Sequence, residues 1–368
     1  MSMHRSISAV CICLLLHLSA AGLFAQSPAT QSAAAFPIPI VQLHGSSADM
    51  GSQQGQRLAA PIKLLHEKYL TVFLGSPTKR VIAIAAARAF ERHFLPEHLA
   101  EVTALARQSG VDTDETALGQ CFLDLAAMSA CSTITLPAEA SPDHIARFGR
   151  DLDFPSLDVA DKYTTILVFR PDDGRFQFVS IGWPGMIGVL SGMNEHGLSL
   201  ANMEVARPPL LPMAMPYTLL YRTVLERCKT VDEAIALLEK TARQTPNNLM
   251  LMDAAGHRAV VEIKPSSITV RRGEEAAALI STNHQRGQDA STPGRCERYD
   301  FLSRASHEEF GHVDKDALQK MLAGASQGDM TLQSMVFEPS NRVIYLSAGR
   351  DAAHGVFHRL DLREYFSK

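Results

Sequence analysis

Downstream of residue 131 the chain repeats one local form: an apolar, β-rich run, a short turn signal, then a second such run. It occurs in TTILVFR-PDDG-RFQFVSIGW, MIGVLSGM-NEHG-LSLANMEV, NLMLMD-AAGH-RAVVEIK and LQSMVFE-PSN-RVIYLSAG, with SITVRRG as a further strand. A hairpin with one wetted face alternates apolar and polar residues. These runs are apolar at nearly every position, so their sheets are covered on both faces. Helices come in blocks between the hairpins: PYTLLYRTVLERC, TVDEAIALLEKTA (with Thr230 and Glu233 spaced as a capping box), CERYDFLSRAS and DKDALQKMLAG. Strands grouped as hairpins argue for antiparallel sheets flanked by helices rather than βαβ winding. Two stacked sheets between helix layers satisfy the pattern.

Upstream of Cys131 the texture is helical. APIKLLHEKYLTVFL has helical apolar spacing, and TKRVIAIAAARAFERHF is Ala-rich. PEHLAEVTALARQSG opens on a proline and closes on Gly110. DTDETALGQCFLDLAAM opens with Asp112 three residues before Glu115. At the start of the chain, MSMHRS and the short apolar stretch ISAVCICLLLHLSAAGLF read as an export signal cut after Ala25. The stretch is short for a membrane span, so no stable span is expected and the mature protein is expected to be secreted or periplasmic. Residues 26–40 look like a flexible leader rich in Ala, Ser, Gln and Pro.

Hydrophobic residues make up 46% and charged residues 20% of the 368, enough for a large core and against global disorder. The formal net charge of −4 and the lack of long basic runs argue against a nucleic-acid partner. Cys11 and Cys13 leave with the signal, so Cys121, Cys131, Cys228 and Cys296 remain. Cys228 with Cys296 is a candidate disulfide in an exported protein.

Cys131 stands where the helical texture gives way to strands, preceded by the small residues Ser129 and Ala130. Two readings compete there. One is a buried cysteine in a helix-to-strand connection, the common fate of a lone cysteine. The other is a chain end in waiting. A cut at Ala130–Cys131 would give Cys131 an α-amino group with an unperturbed pKa of about 8, placing nucleophile and base on one residue. The thiol could make that cut itself by attacking the preceding carbonyl, with an N-to-S acyl shift. FGRDLDF then brings Arg150 and Asp153 back toward Cys131 on a returning strand, the arginine to favour thiolate and the aspartate to hold the amine. A surface ion pair of little energetic value is the alternative for these two.

In order along the chain, ACST, FGRDLDF, PGMIGVLSGMNEHGLSLAN and STNH resemble the N-terminal-nucleophile hydrolases. The pattern is most similar to the peptidase C45 group, the acyl-coenzyme A:6-aminopenicillanate acyltransferase type. Bile-salt hydrolases, penicillin V hydrolases and acid ceramidase are more distant relatives. The resemblance runs from Val41 to the final strands. It implies an α+β fold, a four-layer αββα sandwich. It also implies a helical pro-region over 41–130, which becomes a small subunit that stays associated after self-cleavage, and a catalytic domain over 131–368. Cys131 matches the nucleophile, and Arg150 and Asp153 match the arginine and aspartate of a GRNxD-type motif, with Asp151 where Asn is commoner. Asn283 matches an oxyanion-hole asparagine. Arg298 matches a late site arginine in contact with substrate, with Arg295 as its competitor. A second oxyanion donor falls just past the NEHG hairpin, where Asn202 is the candidate. Glu204 occupies another aligned position, and a carboxylate there would repel an oxyanion. Asn194 reads as a turn residue. Trp183, the only tryptophan, is either an acyl-pocket wall or a core aromatic at a strand end.

The implied reaction is attack by Cys131 on a linear amide, a thioester acyl-enzyme, and transfer to water or an amine, with a small-molecule amide as substrate. No cofactor or metal is expected. His307 and His312 in HEEFGH are five apart and point about 140° away from each other on a helix, which rules out the zinc-protease pair. Two rivals stand beside this reading: a Cys–His hydrolase with Cys131 activated by His284 and no self-cleavage, and a non-catalytic exported binding protein on the same fold.

Overall fold

The apolar hairpins assemble into two stacked sheets, as their two-sided burial demands. The computed structural model describes residues 36–125, 130–206, 214–287 and 295–366. The export signal expected over 1–25 and the leader up to residue 35 lie outside the described residues.

The described elements start with strand β1 (Ile40–Gly45), followed by helices α1 (Ser47–Arg57) and α2 (Ala59–Leu64), a π-helical turn at Leu65–Leu70, and α3 (Thr71–Leu74). Helices α4 (Pro77–Glu91), α5 (Pro96–Ser109) and α6 (Thr113–Leu125) complete the N-terminal part. Then come β2 (Ala130–Leu136), β3 (Arg147–Asp153), β4 (Thr165–Pro171), β5 (Phe178–Gly182), β6 (Ser191–Asn194) and β7 (Ser199–Glu204). Helices α7 (Tyr217–Arg227) and α8 (Val231–Lys240) precede β8 (Asn247–Met252), β9 (Arg258–Ile263), β10 (Ile268–Arg272) and β11 (Leu279–Ser281). Helices α9 (Glu297–Glu308) and α10 (Lys315–Ala325) lead to β12 (Thr331–Glu338), β13 (Val343–Ala348) and β14 (His358–Asp361).

Among the described residues one sheet has eight strands in the order β1-β4-β5-β6-β7-β8-β9-β10, and the other has six in the order β11-β2-β3-β12-β13-β14. Strand alternation sorts side chains into three cores. Leu200 and Leu249 face the layer formed by α1, α2 and α4 to α8, whereas Ala201 and Met250, one position on, face the other sheet. Across the six-stranded sheet, Cys131 and Leu152 point between the sheets, and Ile134 and Val336 point to α9 and α10. The architecture is the expected helix–sheet–sheet–helix sandwich.

Several local signals act as the sequence reading expects. Asp112 Oδ1 accepts from the backbone of Asp114 and Thr230 Oγ1 from that of Glu233, capping α6 and α8. Asn194 closes its hairpin by accepting from the N–H groups of His196 and Leu198, and Gly197 adopts φ +84°, where a Cβ would lie 2.5 Å from the Pro339 carbonyl.

Others need correction. Residues 36–40, assigned to the leader by composition, are packed: Ile38 is buried in the inter-sheet core, and the Pro39 carbonyl accepts from Ile166 N at 2.8 Å. The N-terminal part is not purely helical either, because β1 joins the eight-stranded sheet parallel to β4. Its alternating pattern IVQLHG is half polar, as suits an edge strand. From Phe36 onward the chain is one compact unit. No single helix among the described residues is long and apolar enough to cross a membrane.

Candidate active site

β2 and β3 pair antiparallel in a register that sets Ala130 opposite Asp153, Cys131 opposite Leu152 and Thr133 opposite Arg150. Opposite residues share a face, so Cys131 and Arg150 lie on the inter-sheet side. Asp151 and Asp153 lie on the other side, toward α9 and α10. One strand pair thus presents a thiol and a guanidinium inward and two carboxyls outward. Cys131 is fully buried.

The main chain of Cys131 is held at both ends. Its N–H donates to Asn283 Oδ1 at 2.8 Å. Its carbonyl accepts from Arg298 Nη1, which also donates to Ser132 Oγ at 3.0 Å. Arg298 Nη2 donates to Asn283 Oδ1 at 2.9 Å, while Asn283 Nδ2 donates to the Glu204 carbonyl at 2.8 Å. Two donor-only partners on one side and an acceptor on the other fix which way the Asn283 amide faces. Asn283 is therefore at the site, but it turns its oxygen to Cys131 N. The oxyanion-donor role expected of it requires Nδ2, which is bonded to Glu204.

Arg298, the late arginine, is part of this cluster, and Asp153 Oδ2 lies 3.8 Å from its Nη1. Its competitor Arg295 is largely exposed and pairs with Asp300 at 3.7 Å. Arg150 is fully buried; Nε donates to Ser191 Oγ at 3.3 Å and Nη1 to the Asp151 carbonyl at 3.1 Å, while Nη2 makes no hydrogen bond. The surface-ion-pair alternative for Arg150 and Asp153 therefore falls.

Both carboxyls on the outer side are buried. Asp153 Oδ1 accepts from Thr331 Oγ1 at 2.6 Å, and its Oδ2 makes no hydrogen bond. Burial raises its pKa to about 6, against the opposing effects of Thr331, Arg298 and Arg150. Asp151 Oδ1 accepts from Ser334 Oγ at 2.6 Å. Burial and the neighbouring Asp153 push its pKa well up, which favours its neutral form.

Asn202 does not join the cluster. It shares the face of β7 with Leu200, which packs on the helix layer, so the strand pleat carries its side chain away from the sheet that holds Cys131. The Glu204 carboxylate takes the same side and accepts from Tyr217 Oη at 2.9 Å, which removes it from any oxyanion near Cys131. His284 is half-buried; its ring contacts Thr282 Oγ1 at 3.5 Å and its carbonyl accepts from Asn248. Nothing in these bonds links its ring to the thiol. Cys228 and Cys296 are buried but make no disulfide. Cys228 ends α7 on one outer layer and Cys296 starts α9 on the other, with both sheets between them. Among the described residues no group of three or more His, Cys, Asp or Glu side chains is arranged to hold a metal.

An apolar cavity of about 60 Å³ is walled by His66, Tyr69 and Phe122 from the N-terminal part and by Phe154, Trp183 and Met186 from the part after Cys131. Phe154 directly follows Asp153, and Trp183 packs against both the inter-sheet core and the helix-side core. The Trp183 indole N–H donates to the Ala160 carbonyl at 2.8 Å. Trp183 is thus both a cavity wall and a strand-end packing residue. Burial lowers the pKa of His66 to about 4, so its ring is neutral near pH 7. The loop after Trp183 is pinned by glutamines from the N-terminal part. Gly185 N donates to Gln54 Oε1 and Ile187 N to Gln120 Oε1, at 2.8 and 2.9 Å.

Residues 144–353, more than half of the chain, match the family model described as acyl-coenzyme A:6-aminopenicillanic acid acyl-transferase. The match contains Arg150, Asp153, Trp183, Asn283 and Arg298 and begins after Cys131. A comparison with curated proteins returns no match. Solved structures with a similar chain path include an N-acylethanolamine-hydrolyzing acid amidase ortholog from Caenorhabditis elegans, at 18% identity and TM-score 0.47 over 57% of this chain and 93% of that one. A variant of the conjugated bile acid hydrolase from Clostridium perfringens gives 13% identity and TM-score 0.46 over 64% and 93%. A penicillin V acylase from Agrobacterium tumefaciens gives 16% and 0.45 over 64% and 87%.

Proposed function

The chain belongs to the acyl-coenzyme A:6-aminopenicillanic acid acyl-transferase family, and from that membership we propose that it is a self-processing cysteine amidase. Membership makes it homologous to N-terminal-nucleophile enzymes that hydrolyse amides or transfer their acyl groups. The observation that carries the finer reading is the fixation of Cys131 from both sides, its nitrogen by Asn283 and its carbonyl by Arg298. A strand residue with an ordinary structural role has its main chain satisfied by the ladder. Here side chains from a loop and from α9 hold it.

In the proposed sequence, the Cys131 thiol attacks the Ala130 carbonyl, the acyl group moves from nitrogen to sulfur, and water releases the new terminus. The freed amine, held through an N–H by Asn283 Oδ1 and near Asp153, takes the thiol proton. The thiolate, on the same inter-sheet side as Arg150, whose buried Nη2 makes no hydrogen bond, attacks the amide carbonyl of the substrate. The amine leaves with a proton, the thioester remains on sulfur, and water or a second amine accepts the acyl group. Hydrolysis is the main outcome, because an exported enzyme meets water and little acyl-coenzyme A. The apolar cavity between the two parts has the lining of an acyl-chain wall, and at about 60 Å³ it must widen to admit a long chain.

The two parts stay together after the cut on this reading. The fully buried Glu101–Arg222 ion pair at 2.7 Å and the β1–β4 ladder both cross between them. Residues 1–25 are the proposed export signal, so a mature chain from the native host should begin at Gln26.

The test is to trap the acyl-enzyme. The purified protein is mixed with linear acyl amides, quenched in acid and digested. An acyl mass on the Cys131 peptide, released by hydroxylamine, is expected. A protein that turns over amides while Cys131 never carries an acyl group would overturn the assignment.

A further inference from the structure

Asn283 sits in a loop, yet it holds the nitrogen on which the proposed chemistry turns. What fixes that loop lies on the opposite sheet. Asn248, in β8, is fully buried and shares the inter-sheet face of its strand with Met250 and Met252. Its Nδ2 donates to the Thr282 carbonyl at 2.9 Å and to the His284 carbonyl at 3.0 Å. These carbonyls flank Asn283 on either side. Opposite Asn248 in the β8–β9 ladder stands Glu262. Its carboxylate accepts from Arg286 N and Gly287 N, each at 2.8 Å, and is balanced by Arg271 at 2.8 Å. Two neighbouring side chains of the eight-stranded sheet thus grip the loop that leaves β11 of the other sheet.

We propose that Asn248, supported by Glu262, is a positioning residue that holds Asn283 with its oxygen on the Cys131 nitrogen. The inference rests on the proposed function for its chemical meaning. An asparagine acceptor beside the amine takes an amine hydrogen and leaves the lone pair able to accept the thiol proton. If the loop relaxed and Nδ2 faced the amine instead, the lone pair would be engaged and the base lost. Asn248 reaches neither Cys131 nor substrate and acts through Asn283 alone.

The experiment has a part that needs no catalysis. In the Cys131→Ala chain the residue-131 amide still donates to Asn283. Hydrogen exchange of that amide is compared with and without Asn248→Leu, which keeps the volume, and Asn248→Asp, which keeps the shape but loses the paired donors. The expected result is exchange about tenfold faster at residue 131, with the β13 amides unchanged. Unchanged exchange at residue 131, or an equal rise everywhere, overturns the clamp. In the chain with Cys131 intact, both variants should slow the Ala130–Cys131 cut and lower kcat about tenfold while KM stays within about twofold. A rise in KM alone would also overturn it. If the unsubstituted chain neither cuts nor turns over amides, the proposed function falls, and the exchange measurement still decides the clamp.

Discussion

Among the described residues two arginines are fully buried, and they are built differently. Arg222, in α7, pairs with Glu101 at 2.7 Å and Glu226 at 2.8 Å, donates to the Ile187 carbonyl, and lies 4.6 Å above the Phe169 ring. Its charge is offset by two carboxylates, although its Nη2, like that of Arg150, makes no hydrogen bond. Arg150 has one hydroxyl and one backbone carbonyl as partners, no carboxylate within ion-pair distance among the described residues, and a buried Nη2 without a hydrogen bond. Burying a guanidinium with no counter-charge is costly. The first arginine cements the N-terminal part to the rest. The second is charge kept in reserve, which on the proposed reading meets an anion only when Cys131 becomes a thiolate or its adduct an oxyanion.

The comparison can be broken in several ways. Cys131→Ala removes the proposed anion and should lower amidase activity at least about 1,000-fold while leaving an uncut, folded chain. Intact mass and initial rates check this. Arg222→Met strands the buried Glu101 carboxylate and leaves Glu226 with Arg175 alone, and should cost about 3–5 kcal/mol in urea unfolding, with kcat of the folded fraction nearly unchanged. Arg150→Gln should do the reverse: kcat falls about 100-fold while stability stays within about 1 kcal/mol or rises. Equal effects of the two substitutions on both readouts would erase the distinction. The outward carboxyl gives a smaller effect. The folded-state pKa of Asp153 is raised to about 6, so its stabilising contribution is full below the ordinary carboxylate range and is lost as pH rises through 6. Relative to Cys131→Ala with Asp153→Asn, the Cys131→Ala chain should lose on the order of 2 kcal/mol between pH 4 and 7, read by urea midpoints. The smallest effect belongs to the cavity. Trp183→Ala should lower kcat/KM about tenfold for long acyl amides and far less for acetyl amides.

What could be read from the sequence follows the range of the forces involved. Hairpins, helix blocks and caps are local, and they appear where the patterns put them. The two-sided apolar strands correctly imply two sheets between helices. β1 escapes because its pairing with β4 depends on residues more than a hundred positions away. At the site, Cys131, Arg150, Asp153, Asn283 and Arg298 carry recognisable motifs, and the fold brings them together. Asn202 fails on a matter of parity: a one-residue choice along β7 decides which face a side chain takes, and the motif alone does not fix that parity. Asn248 carries no motif at all. Its function is two bonds to carbonyls made by another sheet, and no sequence pattern announces which backbone an asparagine will meet.

The most direct test is the chemical state of the bond between Ala130 and Cys131 in active protein. Intact mass and N-terminal sequencing of purified material should find a fragment beginning at Cys131, with specific activity rising in proportion to the fraction cut. Full activity in protein whose Ala130–Cys131 bond is unbroken would contradict the account.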